Sequence, residues 1–286
     1  MSGGWGVSWG ADDVTVRFGD RTALEHVSLD VPAGLVTAVV GGDGAGKTTL
    51  LRALAGALAV TGGVVRRPDA VEIGYLPSSS GTYPDLTVDE NLAFAASAYR
   101  VAPAEARSRA RAYLERTGLD RFRDRLAGDL SGGMRQKLGV VRALVHRPKL
   151  VILDEPTTGV DPVSRADLWW LITRAAVDGA AVVFATTYLE EAARAPHLLV
   201  LDRGRRLADG SPAEIVARLP GTIGRRADRP EDAGAAARAW RRRGRWQVWE
   251  PDGTGGSGNS GDSGDAGAPD LEDAITVFLL QRELQP

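Results

Sequence analysis

The feature that most constrains the fold of this chain is the glycine-rich run GGDGAGKT at residues 41–48. It fits the pattern G-x-x-x-x-G-K-[ST] and lies between the apolar run Val36–Val40 and an amphipathic stretch that begins at Lys47. Glycines let backbone N–H groups approach a phosphate, and the helix N-terminus adds its dipole. A glycine turn that precedes Lys-Thr by chance is the alternative, but a strand and a helix flank the run as this motif requires. We therefore predict a phosphate-binding loop.

Within the loop, Lys47 is expected to reach the β and γ phosphates of a nucleotide, and Thr48 is expected to offer its hydroxyl to Mg²⁺. The implied ligands are a nucleotide and Mg²⁺, and the family resemblance described below implies that the nucleotide is ATP. The predicted nucleotide contacts in this segment are Gly41, Gly42, Asp43, Gly44, Ala45, Gly46, Lys47, Thr48 and Thr49.

Two adjacent carboxylates follow a second apolar run, in LVILDEP at residues 150–156. Carboxylates at the end of a buried strand are costly unless a cation or a proton transfer requires them. Asp154 suits the shell of a Mg²⁺ ion. Glu155 suits a general base that orients water for attack on the γ phosphate.

The order of apolar and amphipathic segments predicts an α/β fold with a largely parallel sheet wrapped by helices. The predicted buried strands are Val36–Val40, Val151–Leu153, Val182–Ala185 and Leu198–Leu201. The predicted helices after them are Lys47–Leu58, Pro162–Val177 and Leu189–Arg194. Residues 84–147 differ, because a capping box at Thr87 and Glu90 and a helix opened by Pro103 predict an inserted helical subdomain.

The amino-acid composition changes after residue 220. This change predicts a main domain over residues 1–220 and a small extension over residues 221–286. The extension contains a Gly/Ser-rich linker at 251–268 and a terminal amphipathic helix in which Leu271, Ile275 and Phe278 share one face. The run RRRGR within it is expected to be a solvated face, and contact with anionic lipid is the alternative.

Composition narrows the function. The formal charge is −2, whereas proteins that bind nucleic acid usually carry an excess of positive charge. No nucleic-acid partner is therefore predicted. The absence of cysteine excludes disulfides and thiolate chemistry. No apolar run approaches the roughly 18 residues of a membrane span, so another chain would have to cross a membrane if the function involves one.

The run LSGGM at residues 130–134 separates this chain from other phosphate-loop proteins. With GGDGAGKTTL and LVILDEPTTGVDP, it resembles an ATP-binding cassette (ABC) ATPase over roughly residues 11–220. The resemblance implies a P-loop NTPase fold of the ABC ATPase type, with a mostly parallel core sheet, an antiparallel β subdomain and an inserted helical subdomain. The signature residues, which would contact a partner's ATP, are Leu130, Ser131, Gly132, Gly133 and Met134.

The resemblance implies further roles. Phe18 would stack on adenine, and the loop formed by Gly159, Val160 and Asp161 would contact a second cassette. Members of the family work as head-to-tail pairs that drive a membrane permease. The sequence motifs are most similar to those of ATPase subunits of bacterial exporters of the type-2 class. Within that class they most resemble the first cassette of YbhF-like tandem exporters. This resemblance implies a cytoplasmic protein that is bound to the inner face of the cell membrane through the permease.

Two positions depart from the family pattern. Thr187 stands where most members carry a switch histidine that senses the γ phosphate, and Ser78 stands where a glutamine is usual. Loss of such groups typically costs about a hundredfold to ten-thousandfold in rate. The chain's own ATP site is therefore expected to bind ATP and hydrolyse it slowly, and a heterodimer with a second cassette is favoured over a homodimer.

Two other classes of function stay open. One is a soluble ABC ATPase that acts on ribosomes or DNA, although such proteins usually carry two cassettes or a long coiled-coil insertion. The other is a regulatory module whose ATP is structural, which Ser78 and Thr187 favour and Glu155 opposes. The cargo cannot be read from this chain, because cargo contacts in this architecture lie in the permease.

Overall fold

The computed structural model describes residues 8–251 and 268–284. These residues form two compact units, one ending at Arg206 and one starting at Leu207. The division falls earlier in the chain than the boundary at residue 220 that composition indicates. The expected Gly/Ser-rich linker at 251–268 lies, apart from its two end residues, outside the described residues.

The described strands are β1 (Ser8–Phe18), β2 (Arg21–Pro32), β3 (Val36–Val40), β4 (Gly62–Arg66), β5 (Ile73–Leu76), β6 (Leu150–Asp154), β7 (Ala181–Thr186), β8 (His197–Asp202), β9 (Arg205–Gly210), β10 (Thr222–Arg226), β11 (Ala239–Arg242) and β12 (Arg245–Glu250). The described α-helices are α1 (Lys47–Leu54), α2 (Val88–Ala98), α3 (Pro103–Thr117), α4 (Gly132–Leu144), α5 (Pro162–Val177), α6 (Leu189–Ala192), α7 (Pro212–Ala217), α8 (Ala233–Ala237) and α9 (Leu271–Leu284). The four predicted core strands are confirmed, each to within one residue at either end.

The central sheet has six strands in the order β5-β6-β7-β3-β8-β9, and the pairings β5/β6, β6/β7, β7/β3 and β3/β8 are parallel. Every residue of β3, β6 and β7 is buried, because helices cover both faces of a parallel sheet. A second sheet, with the order β2-β1-β4, is antiparallel. One apolar core joins the two sheets through α1, with Leu24, Leu50 and Ile152 among its members. The expected α/β class with an antiparallel subdomain is confirmed.

The helical subdomain contains α2, α3 and α4. The capping box predicted at the start of α2 is present, since the Thr87 hydroxyl accepts from the Glu90 amide and the Glu90 carboxylate accepts from the Thr87 amide. Pro103 is the first residue of α3, and Gly118 ends that helix with a φ angle of 72°. The structure therefore places three helices inside the predicted range of 84–147.

Helix α1 ends earlier than predicted, at Leu54 rather than Leu58. Gly56 adopts a left-handed φ of 72° directly after the helix. Its amide donates to the carbonyl of Ala53, and the amide of Ala57 donates to that of Arg52, which is the hydrogen-bond pair of a Schellman cap. The prediction was wrong here because apolar residues continue past the glycine that ends the helix.

The second unit contains a three-stranded antiparallel sheet with the order β10-β12-β11. Helix α9 buries Leu271, Ala274 and Val277, whereas Ile275 and Phe278 are only half-buried. The predicted stripe was therefore wrong in its rotation. Polar contacts account for the difference, because Asp273 is also buried, where it accepts from the guanidinium of Arg242 at 2.8 Å.

Candidate functional site

The carboxyl ends of three neighbouring strands meet at one edge of the central sheet. Val40 at the end of β3 lies opposite Thr186 at the end of β7, and Asp154 at the end of β6 lies opposite Ala185. The glycine-rich loop starts at this edge, directly after β3. Glu155 follows β6 and Thr187 follows β7 at the same edge. This edge is where ligands bind in parallel α/β sheets.

The glycine-rich loop depends on backbone conformations and close approaches that side chains would prevent. Gly44 and Gly46 have φ angles of 77° and 105°. A Cβ atom on Gly41 would lie 2.4 Å from the carbonyl oxygen of Leu201. Gly46 directly precedes α1, so the loop leads into a helix N-terminus whose first N–H groups can bind an anion.

The ammonium of Lys47 is held over this loop. Its Nζ donates to the carbonyl oxygens of Gly41 at 2.8 Å and Gly42 at 3.1 Å. It also lies 3.6 Å from Oε1 of Glu155. The side chain is buried, so these contacts are what make its charge tolerable. Lys47 therefore connects the loop to the acidic end of β6.

Thr48 and Asp154, the predicted metal-binding residues, are in contact. The Thr48 hydroxyl donates to Oδ1 of Asp154 at 3.2 Å, while Oδ2 of Asp154 is buried without a hydrogen-bond partner. Burial raises the pKa of the Asp154 carboxyl, the hydrogen bond from Thr48 lowers it, and the neighbouring Glu155 carboxylate raises it again. A buried, unsatisfied carboxylate oxygen is costly, and a bound cation would satisfy it.

The donor set fits Mg²⁺ that arrives with a nucleotide. A hydroxyl and a carboxylate are oxygen ligands of the kind Mg²⁺ takes together with substrate phosphates and water. Among residues 8–251 and 268–284, no group of three or more His, Cys, Asp or Glu side chains could hold a metal ion by itself. The protein would thus supply a minority of the ligands, from Thr48 and Asp154.

Glu155 adopts a strained backbone conformation, with a φ of 52° in the left-handed region that non-glycine residues seldom enter. Its amide donates to the carbonyl of Ala185 at 3.1 Å, and its own carbonyl accepts from Nε2 of Gln136 at 3.2 Å. Oε2 accepts from the Thr158 hydroxyl at 3.2 Å. These contacts fix the side chain at the sheet edge, near Lys47.

A cavity of about 430 Å³ opens over these groups, lined by the loop from Asp43 to Thr49, by Glu155, and by Arg203 and Gly204 among others. A larger cavity of about 560 Å³ lies between α2 and α3 and contains none of these residues in its lining. Because the polar groups converge on the smaller cavity, we assign the candidate site to it.

The signature residues begin α4. The hydroxyl of Ser131 accepts from the amide of Met134 at 3.3 Å, and Gly132 and Gly133 are the first two helical residues. Leu130 is buried. Ser131 and Gly132 are exposed, so the helix N-terminus is open to a ligand. None of these residues lines the 430 Å³ cavity.

The expected dimer loop lies beside the start of α4. Gly159 has a φ of 71°, Val160 is buried, and Oδ1 of Asp161 caps α5 by accepting from two backbone amides at 3.0 Å. A Cβ atom on Gly133 would lie 3.2 Å from the Ser164 hydroxyl, so the glycine allows the two helix starts to approach.

The three remaining predicted positions are exposed. Phe18 ends β1 with 52% of its surface accessible, and its strand partner Arg21 lines the cavity. Ser78 lies in a turn shortly after β5, and Thr187 directly follows β7. Both short side chains thus lie on segments that leave the sheet at the edge where the cavity opens.

Sequence reasoning missed three residues that shape this region: Gln136, Arg165 and Glu191. Gln136 holds the carbonyl of Glu155. Glu191 is 3% exposed and accepts hydrogen bonds from Thr157, which follows β6, and from Thr186, which ends β7. Arg165 lies 3.3 Å from Glu191. No local signal in one sequence identifies them, because a polar residue on a helix is usually solvated and their partners are distant along the chain.

Comparison with known proteins gives a consistent result. Residues 24–158 match the family model described as ABC transporter. The chain is 41% identical over 213 residues to the probable multidrug ABC transporter ATP-binding protein YbhF of Escherichia coli K12, covering 71% of this chain. It spans only 37% of the length of YbhF.

A second relative matches over most of its length. The Nod factor export ATP-binding protein I of Cupriavidus metallidurans is 36% identical over 215 residues, which is 71% of each protein. Among solved structures, an ATP-binding subunit of an ABC transporter superposes with a TM-score of 0.69 at 28% identity, covering 74% of this chain and 93% of that one. In the part of the chain that the structure describes, no helix is long and apolar enough to cross a membrane.

Proposed function

The chain belongs to the ABC transporter family of ATP-binding proteins, and on that premise we propose that it is the ATP-binding subunit of an exporter, peripheral to the inner face of the cell membrane. The observation that carries the proposal is the convergence on one cavity at the sheet edge of Lys47, Glu155 and Thr48, whose hydroxyl donates to Asp154. The proposed substrate is MgATP. The proposed partners are a membrane permease and a second cassette.

The residues of the cavity suggest how ATP would be held. Backbone N–H groups from Gly42 to Thr48 would surround the phosphates, and Lys47 would contact the β and γ phosphates in place of its present carbonyl partners. Thr48 and Asp154 would hold Mg²⁺, which neutralises charge on the phosphate oxygens when bound. Phe18 would stack on the base.

Glu155 is the proposed general base. Its carboxylate would accept a proton from the water that attacks the γ phosphate, and its backbone contacts to Gln136 and Ala185 would keep it in place during that transfer. The bond between the γ phosphorus and the bridging oxygen would break, and Lys47 would stabilise the negative charge on the β phosphate of the leaving ADP. LSGGM at the start of α4 would contact ATP bound to the partner cassette, across a seam that includes Gly159, Val160 and Asp161.

We propose that the chain's own site turns over slowly. Neither Thr187 nor Ser78 carries an imidazole or an amide at the positions where the family usually has them. A threonine hydroxyl donates a single hydrogen bond and does not carry a positive charge near neutral pH. This supports a heterodimer in which an intact partner site supplies most of the hydrolysis, with a homodimer as the alternative.

Export is supported by both relatives, one named as a multidrug ABC transporter protein and the other as a Nod factor export protein. For the permease contact, the segment from Ser78 to Leu86 and the adjacent face of α2 are the proposed surface. Tyr83 and Phe94 pack edge to face there with ring centroids 4.8 Å apart. Tyr83 is 44% exposed and Phe94 is 50% exposed. Exposed aromatic pairs are typical of protein contacts.

A regulatory module with structural ATP is the second candidate, because Ser78 and Thr187 replace groups used in hydrolysis. The purified chain tests both. MgATP binding should disappear in Lys47→Ala, whereas Glu155→Gln should keep binding and remove the remaining slow ATPase activity. Absence of MgATP binding to the unmodified chain would refute the proposed function. Fast turnover that depends on Glu155 would refute the slow site and leave the subunit assignment intact.

A further inference from the structure

A buried carboxylate that the proposed mechanism does not use lies shortly after β7 in the chain. Glu191 belongs to α6, the one-turn helix that starts directly after Tyr188, and it is only 3% exposed. Its neighbour Glu190, with the same side chain on the same helix, is exposed. A charge so deeply buried is costly unless several donors surround it.

Two threonine hydroxyls donate to Glu191, one from the turn after β6 and one from the last residue of β7. Its Oε2 accepts from the hydroxyls of Thr157 and Thr186, the latter at 3.2 Å. Thr157 follows Glu155 by two residues, and Thr186 immediately precedes Thr187. One carboxylate oxygen thus ties the segment after β6 to the last residue of β7.

The other oxygen extends the network to the dimer loop. Oε1 of Glu191 lies 3.3 Å from Nε of Arg165, an ion pair without hydrogen-bond alignment. Nη2 of the same arginine donates to the carbonyl of Val160 at 3.2 Å. Its guanidinium carbon also lies 5.9 Å from the ring centroid of Tyr188. Arg165 therefore contacts both the dimer loop and the segment that carries Thr187.

We propose that Glu191 is a positioning residue of the ATP site. Its carboxylate would hold the loop that carries Thr187 against the loop that carries Glu155, so that the Thr187 hydroxyl reaches the γ phosphate. The inference rests on the proposed function, since it requires that MgATP binds here. It adds a specific consequence: the contribution of the γ phosphate to affinity depends on a residue that does not touch the nucleotide.

The test compares MgATP and MgADP binding to the full-length chain by titration calorimetry. In Glu191→Gln one oxygen becomes an amide donor facing hydroxyl and guanidinium donors, so the loop should shift. The preference for MgATP over MgADP should fall about tenfold, the size expected for one hydrogen bond to a charged group, while MgADP affinity stays within about twofold. Glu190→Gln makes the same chemical change on the exposed side of α6 and should keep the preference of the unmodified chain.

A second variant covers the case in which Glu191→Gln fails to fold. Thr157→Val removes one hydroxyl from the carboxylate with little change in shape, and it should lower the same preference to a smaller extent. The positioning role would be overturned if the variants bound MgATP and MgADP equally more weakly. It would also be overturned if the folded variants kept the unmodified chain's preference for MgATP over MgADP. An unmodified chain that binds both nucleotides equally would overturn it as well. If MgATP does not bind the unmodified chain at all, the proposed function fails first.

Discussion

At the scale of single residues, the phosphate loop combines a buried cation with an exposed anion. Lys47 is 5% exposed and faces the loop carbonyls, whereas Asp43 is exposed and lines the same cavity. A carboxylate here repels the negative charge of a polyphosphate. Asp43 is therefore expected to weaken nucleotide binding without contributing to the chemistry.

Asp43→Asn should tighten MgATP binding by about threefold, because two unit charges about 5 Å apart in water interact by somewhat under 1 kcal/mol. The gain should shrink at high ionic strength, where exposed charges are screened. Dissociation constants at two salt concentrations would measure it. Asp124→Asn removes the same charge from an exposed position in the helical subdomain and should change nothing. Weaker binding by Asp43→Asn would contradict the electrostatic argument.

His146 shows what burial does to a titratable ring. It stacks on Tyr99 with ring centroids 3.6 Å apart, and its Nε2 donates to the carbonyl of Ile73 at 3.2 Å. Nδ1 is buried without a partner. Burial lowers the pKa of His146 from 6.5 to about 4, against the hydrogen bond to Ile73, which raises it, and with the charge of Arg109, which lowers it further.

The stability of the protein should therefore fall in mild acid. Because the pKa of His146 is lower in the folded than in the unfolded chain, the unfolded chain binds more protons between pH 6.5 and 4, so this stability is present above pH 6.5 and is lost as the pH falls towards 4. From pH 7 to 5 the loss from this group should be about 2 kcal/mol. Denaturant unfolding of His146→Phe should show a correspondingly smaller decrease. An equal decrease in both proteins would contradict the assignment.

At the scale of elements, a buried ion cluster connects three helices of the first unit. Asp167 of α5 accepts from Lys137 of α4 at 2.8 Å and from Arg116 of α3 at 2.5 Å. Lys137 is 6% exposed and also donates to the carbonyl of Thr117. Helix α4, which begins at Gly132, is thus joined to helix α5, which follows the loop of Gly159, Val160 and Asp161.

Asp167→Asn should lower the free energy of unfolding by about 3 kcal/mol, because it leaves the Lys137 ammonium buried beside a neutral amide. Asp178→Asn is the matched control: Asp178 ends the same helix and pairs with Arg174 at the surface, where such pairs contribute less than about 1 kcal/mol. Unfolding curves in denaturant compare the two. Similar losses for both variants would mean that the cluster is no stronger than a surface pair.

Local patterns predicted the elements better than the contacts between them. Continuous β-branched runs predicted β3, β6 and β7, and a side-chain cap predicted the start of α2. The end of α1 was missed because Gly56 interrupts a run that still looks apolar. The rotation of α9 and the place of Glu191 depend on polar partners far along the chain. Propensity and periodicity carry no information about such partners.

At the scale of the whole molecule, the second unit has its own means of holding its last helix. Arg242 at the end of β11 contacts Asp270, Glu272 and Asp273 at distances of 2.7 to 2.8 Å, at the start of α9. Asp273 is buried, so the cluster is partly shielded from solvent. All predicted site residues, from Phe18 to Thr187, belong to the first unit.

Arg242→Gln should therefore release α9 without affecting the ATP site. We expect faster proteolysis within residues 271–284 and an MgATP dissociation constant within about twofold of the unmodified chain. Limited proteolysis with mass spectrometry and a binding titration would measure the two effects. Arg241→Gln, at an exposed neighbouring position, should change neither. A large loss of MgATP affinity in Arg242→Gln would mean that the extension takes part in nucleotide binding.

The register of β3, β6 and β7 makes the stability of the folded protein depend on bound nucleotide. The groups proposed to hold ATP lie on segments that come together only after these strands have paired, so a disordered chain offers ATP no comparable place. Nucleotide at a thousand times its dissociation constant would then add about 4 kcal/mol to the free energy of unfolding. A fall in nucleotide concentration would in this way lower the stability of the folded subunit against unfolding.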